Sequence, residues 1–218
     1  ILWLYWDSGY VNAPKICQLC IESWVHHNPN WDVRVLDENN IYDYLPEDLL
    51  DYIFNSGMSK NHQCDMFRTN LMAIHGGVYT DATIMCNRPL DDWIYKYTPN
   101  SLQLWFPFDH HREEFGYNFI VCSRNNKIFK ECTKKLNDWI YGIKDFNQVA
   151  YTEVISESYD NFSQMCNLDL VRNNQIGETS NRDKKGHKVI ANDPKLMMRD
   201  LEPIVERVSK EQPFLKLT

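Results

Sequence analysis

Asp65, Arg68 and Asp81 stand in a register that suits the grip of an anionic, hydroxyl-rich ligand. Carboxylates accept hydrogen bonds from hydroxyls, and a guanidinium takes phosphate oxygens two at a time. A further acid placed just after a β-prone run can meet a divalent cation. Asp65 and Arg68 are three residues apart in a helical pattern, so they share one face. Taken alone, that pair reads more readily as an exposed helix ion pair worth a few tenths of a kcal/mol. The run Gly76-Gly77-Val78-Tyr79-Thr80-Asp81 follows in the same register and favours a site.

The elements that must position these side chains are legible around them. Ser59 suits a helix N-cap, and Gly76-Gly77 a helix stop. Between them Phe67, Leu71 and Ile74 form an apolar stripe, with His62, Asp65, Arg68 and Thr69 on the opposite side. Val78 to Thr80 is a short strand ending at Asp81. Ligands of α/β folds collect at the carboxyl ends of such strands.

The order Asp-x-x-Arg, then Gly-Gly-Val-Tyr-x-Asp, resembles the sugar-nucleotide segment of DxD glycosyltransferases. The nearest likeness is to the capsular polysaccharide synthesis type, the yeast initiating α-mannosyltransferases and the clostridial glucosylating toxins. The resemblance implies that Asp65 and Arg68 hold the donor sugar and its phosphates. It also implies that Asp81 binds a divalent metal, Mn²⁺ or Mg²⁺, bridging to the diphosphate. The third position of the DxD motif is Thr83, which leaves one carboxylate where those families have two.

Composition narrows the classes. A chain of 218 residues makes one good-sized domain in preference to two very small ones. With 43 % hydrophobic and 13 % aromatic residues it supports a real core. The net charge of −7, from 23 basic and 30 acidic residues without a basic patch, argues against nucleic acid as partner. An acidic chain that binds a diphosphate needs local devices: a metal, a few cations, backbone amides. Seven cysteines without a framework spacing read as reduced thiols, and Cys17-x-x-Cys20 as part of a buried helix face rather than a zinc or redox pair. No run reaches the length of a membrane span and no signal peptide is visible, which points to the cytoplasm or a cytosol-facing membrane periphery. Ile1 lies inside an apparent strand, so an upstream anchor or leader stays open.

Along the chain, Ile1 to Trp6 reads as a buried strand, and Pro14 opens a helix running to His27. Trp31 to Asp37 is a second strand, completing a Rossmann-like opening. The resemblance makes Tyr5, Trp6 and Asp7 candidates for the nucleotide base. Asp37 suits a ribose hydroxyl or a simple helix cap equally. Ile41 to Phe54 divides into two helical pieces around Pro46. Ser101 to Phe106 and Tyr117 to Ser123 are β-like. The intervening loop holds His110, His111, Glu113 and Glu114, better placed to face an acceptor than to chelate a metal. Asp109, Glu113, Glu114 and, by resemblance, Asn118 form the acceptor side. Lys127 to Tyr141 is an amphipathic helix and Gln148 to Tyr159 another. Residues 173–188 form a polar loop, either a solvated surface segment or a lid whose His187, Lys184, Lys185 and Lys188 meet metal or phosphate. Val189 to Ala191 is a short strand, and Pro194 to Ser209 a final helix.

The expectation is a single α/β domain over residues 1–218, of the GT-A (Rossmann-like) kind. Its mixed, mostly parallel sheet is flanked by helices. A nucleotide-sugar half covers about 1–93 and an acceptor half about 94–218. By resemblance it is a metal-assisted, retaining transferase that moves a sugar from a nucleotide diphosphate sugar, UDP favoured, to a glycan or other hydroxyl acceptor. The rival class is a nucleotide-sugar-binding relic without turnover, suggested by Thr83. A metal-dependent phosphoesterase stands third, because its carboxylates are too few.

Overall fold

The computed structural model describes residues 1–97, 104–105, 108–109, 114–115, 118–142 and 214–216. The chain opens with β1 (Leu2–Tyr5), α1 (Lys15–His27) and β2 (Val33–Leu36). It continues through α2 (Glu47–Asn55), α3 (Lys60–His75), β3 (Gly77–Thr80), β4 (Ile84–Cys86) and the short α4 (Ile94–Tyr97). Then come β5 (Leu104–Trp105), β6 (Phe108–Asp109), β7 (Glu114–Phe115), β8 (Phe119–Cys122), α5 (Lys127–Tyr141) and β9 (Phe214–Lys216). The helices expected at 148–159 and 194–209, the polar loop 173–188 and the strand at 189–191 lie outside the described residues. No described helix is long and apolar enough to cross a membrane.

The main sheet has the order β2-β1-β3-β8-β5. β1 pairs in parallel with both β2 and β3, while β8 runs antiparallel to β3 and β5. The sheet is therefore mixed and mostly parallel, as the strand–helix alternation predicts. β1 lies between its two successors: the chain leaves it one way through α1 to β2, and returns across it through α2 and α3 to β3. Such a reversal opens a crevice beyond the carboxyl ends of the two strands at the switch, here β1 and β3.

Alternation along the strands sorts the core into two layers. Trp3, Tyr5, Tyr79 and Ile120 pack under α2, α3 and α5. Leu2, Leu4, Val78, Phe119 and Val121 pack with Ile21 and Trp24 of α1 and with β4.

The boundaries of α3 are set by local chemistry. Ser59 Oγ accepts from the His62 backbone N–H at 3.3 Å. Gly76 takes φ 65°, and a Cβ there would come within 2.4 Å of the Arg124 backbone nitrogen. Trp3 Nε1 donates to Gly76 O at 2.9 Å, tying that turn to β1. The expected apolar stripe is half right. Phe67 and Leu71 are fully buried, but Ile74 is 38 % exposed, although Met72 and Ala73 of the same turn are buried in the core. The opposite side is not a surface: Gln63 and every residue from Met66 to Ala73 are buried.

Candidate nucleotide-sugar site

The relative lengths of α3 and β3 create the site. Sixteen helical residues span about 24 Å, whereas the four of β3 span about 13 Å. The two are joined by a tight turn and start level, so the N-terminal half of α3 projects past the sheet edge as a wall. Between this wall and the ends of β1 and β3 lies a cavity of about 510 Å³. Tyr5, Trp6 and Asp7 line it from β1, Asp81, Ala82 and Thr83 from the loop after β3. Lys60, Asn61, Cys64, Asp65 and Arg68 line it from α3, and Tyr79 from β3.

At its foot sits Arg68. Its Nη2 lies 2.6 Å from Asp65 Oδ1 and its Nη1 3.2 Å from Asp81 Oδ1. The three side chains are only 8, 15 and 18 % exposed. The guanidinium also lies 5.3 Å from the centre of the Tyr79 ring, and Nη2 is 3.9 Å from Cys64 Sγ. Cys64 Sγ and the Tyr79 hydroxyl are 3.2 Å apart. Burial presses the Arg68 pKa down, but the fields of Asp81 and Asp65 outweigh it, so the cation is held well above its usual range. Burial pushes the Cys64 thiol up to about 11 and raises the Tyr79 phenol well above its ordinary value. The foot of the cavity is thus one permanent cation, two carboxylates, a neutral thiol and a neutral phenol.

The exposed-pair alternative for Asp65 and Arg68 is therefore overturned: the pair is buried and shared with Asp81. The structure brings Tyr5, Trp6, Asp7, Asp65, Arg68, Asp81 and Thr83 to one cavity, as their positions in the chain suggested. His62 is not in its wall, and Thr69 turns its hydroxyl to Asp65 O at 2.6 Å. Asp37 lies outside the wall and closes the turn over residues 38–40, its Oδ1 accepting from the N–H groups of Asn39 and Asn40 at 2.8 and 3.0 Å. The Asn118 backbone oxygen accepts from Asp81 N–H at 2.9 Å, which fixes the start of the carboxylate-bearing loop. Asp109 and Glu114 lie opposite each other in the ribbon of β6 and β7. Glu113 and His187 fall outside the described residues. Lys60, Asn61, Cys64, Tyr79 and Ala82 were not foreseen as lining residues. The signal was available: Lys60 and Cys64 precede Arg68 by eight and four residues, and Tyr79 precedes Asp81 by two along the strand.

Among the described residues no three His, Cys, Asp or Glu side chains converge as a metal cage. The donor set nevertheless fits a hard divalent ion that takes most of its oxygens from a phosphate ligand and water. Asp81 offers a carboxylate and Thr83 a hydroxyl on the same loop. The charge of the wall agrees. Asp7, Asp65 and Asp81 outnumber Lys60 and Arg68, so a diphosphate entering alone would meet a net negative lining.

The family model described as capsular polysaccharide synthesis protein matches residues 1–168. This chain belongs to that family. Over 101 residues it is 34 % identical to the protein named glycosyltransferase afumC of Aspergillus fumigatus, covering 41 % of this chain and 26 % of that one. It is 27 % identical over 167 residues to O-glycosyltransferase braB of Annulohypoxylon truncatum, covering 67 % of this chain and 40 % of the relative. The chain thus spans about a quarter to two-fifths of the length of these relatives. Among solved structures, the PaToxG glycosyltransferase aligns with a TM-score of 0.49 at 13 % identity, over 78 % of this chain and 73 % of that one.

Proposed function

We propose that this chain is the donor-binding and catalytic part of a glycosyltransferase. It moves a sugar from a nucleotide diphosphate sugar, a UDP-sugar by preference, to a hydroxyl of a glycan or other acceptor. The observation that carries this is the buried Asp65–Arg68–Asp81 cluster at the foot of a cavity on the switch point of the sheet. The names of the curated relatives support the same reaction class.

Each residue then has a part. Asp65 accepts hydrogen bonds from sugar hydroxyls and fixes the ring. Arg68, kept by Asp65 at Nη2 and by Asp81 at Nη1, sets its positive charge beside the diphosphate oxygens and stabilises the leaving group. Trp6 and Tyr5 offer apolar faces to the nucleoside, with Asp7 beside them. Asp81 and Thr83 would hold Mn²⁺ or Mg²⁺, which when bound neutralises the departing diphosphate as a Lewis acid. The bond between the anomeric carbon and the phosphate oxygen breaks, its electron pair leaving with the diphosphate. The acceptor hydroxyl bonds to that carbon on the face the diphosphate vacates and gives its proton to a phosphate oxygen, so the anomeric configuration is kept. Asp109, Glu113, Glu114 and Asn118 then hold the acceptor without serving as an indispensable base.

Incubation with a panel of nucleotide sugars and Mn²⁺, followed by mass spectrometry, tests this. The expected products are free sugar and nucleoside diphosphate from one donor, at a rate lowered roughly a hundredfold or more in Asp65→Asn. Tight binding of a donor with no hydrolysis or transfer would make the chain a relic. No binding of any nucleotide would overturn the assignment.

A further inference from the structure

Lys60 is the second cation of the cavity wall, and its surroundings differ from those of Arg68. Arg68 is held by two carboxylates inside the cavity. Lys60, the first residue of α3, is paired with Glu38, which lies outside the lining. Their side chains are 58 and 39 % exposed, so solvent weakens the pair and the ammonium can be re-aimed. The Glu38 backbone N–H donates to Asp7 O at 3.2 Å, which anchors the pair at the carboxyl end of β1.

Lys60, Cys64 and Arg68 recur every four residues, a slowly turning line along one side of the helix. Eight residues at the helical rise place Lys60 about 12 Å from Arg68 along the axis. If Arg68 and Asp81 mark the diphosphate, the nucleoside extends toward Trp6 and Asp7, and its far edge comes to Lys60. An ammonium has three donors and no acceptor. Uracil and guanine present a carbonyl oxygen at the outer edge of the ring, whereas cytosine and adenine present an amino group there. A donor-only cation bonds the carbonyl of the first kind directly, whereas the amino group of the second meets it donor to donor and leaves only a ring nitrogen beside it as acceptor.

Resting on the donor-site reading above, we propose that Lys60 selects the base of the donor, favouring a keto base, uracil or guanine, over an amino base. Calorimetry with UDP, GDP, ADP and CDP in Mn²⁺ tests it, on the wild type and on Lys60→Met, which keeps the apolar stem. The wild type is expected to bind UDP or GDP at least about tenfold more tightly than ADP and CDP. Lys60→Met is expected to lose about tenfold for the keto nucleotide and less than about twofold for the others, the scale of one charge-assisted hydrogen bond. An equal loss across all four would assign Lys60 to the phosphates and overturn the proposal, as would no change in any. If none of the four binds the wild type, the donor site itself fails. If UDP binds and Lys60→Met matches the wild type, only Lys60 fails.

Discussion

Helices α1 and α3 cover opposite faces of one sheet, and they bury different things. The buried residues of α1 are Ile16, Cys17, Cys20, Ile21 and Trp24, apolar groups and thiols. The Trp24 indole is saturated by the Ile84 carbonyl at 2.8 Å. Those of α3 include Gln63, Arg68, Thr69 and Asn70. Asn70 and Asn137 exchange amide hydrogen bonds at 3.1 and 2.8 Å, joining α3 to α5, and Arg68 is enclosed by acids. Desolvating polar groups costs free energy unless each is partnered, so a helix that buries this many is held to them by something other than packing. The α1 face is a core. The α3 face is a core interrupted by the Arg68 cluster and the cavity above it.

The largest test of that contrast is Arg68→Met. Removing the cation leaves Asp65 and Asp81, only 15 and 18 % exposed, without their shared counter-charge at the foot of the cavity, which should lower stability by roughly 3–5 kcal/mol in urea denaturation. Donor hydrolysis should fall by orders of magnitude in the remaining folded protein. Unchanged stability would mean that the cluster is solvated after all, and the contrast with α1 would collapse.

A smaller effect is expected on the other face. Trp24→Phe strands the Ile84 carbonyl and opens space, costing about 1–3 kcal/mol. Nucleotide affinity per folded molecule should stay within about twofold of wild type, because α1 contributes nothing to the cavity wall. A large loss of affinity would show that the two faces are coupled through the sheet.

The smallest effect sharpens the comparison by pH. Burial raises the Cys17 thiol on α1 and the Cys64 thiol on α3 alike, from 9.0 to about 11. Each binds its proton more tightly folded than unfolded. The stability each lends is complete below about pH 9 and is lost as pH climbs toward 11. Cys17→Ser and Cys64→Ser should therefore both flatten the alkaline loss of stability. Only in Cys64→Ser should the alkaline dependence of nucleotide affinity change too, since a thiolate there would sit beside Arg68. Equal behaviour of the two variants in binding would remove Cys64 from the site.

Local chemistry made much of this molecule legible in advance. Ser59 caps because its hydroxyl reaches an orphan N–H, and Gly76 ends the helix because a Cβ there would meet the Arg124 backbone at 2.4 Å in a conformation, φ 65°, that side chains disfavour. The amphipathic pattern of residues 127–141 gave α5 its observed bounds, with Phe129, Leu136 and Ile140 buried. The Asp65–Arg68 spacing named two members of the site. Ile74 went astray because periodicity gives a direction on the helix but not which neighbouring segments cover that direction at each turn.

What the sequence determined by itself was therefore set within one or two turns of chain: the Ser59 cap and Gly76 stop of α3, the helix face that carries Asp65 and Arg68, and the strand end that carries Asp81. By contrast, β1 and β2 came out shorter at their starts than expected, and β4 was not foreseen. What only the tertiary structure decided was the depth and company of those groups. Arg68 is a buried counter-ion rather than a surface one because β3 lies under α3 and delivers Asp81 from thirteen residues away. Asp37 caps its own turn instead of reaching the cavity because β2 stands on the far side of β1 from β3. Lys60 joins the wall because α3 outruns the strand that follows it. Burial and partnership across the sheet depend on which distant segments are brought together, and no local pattern carries that information.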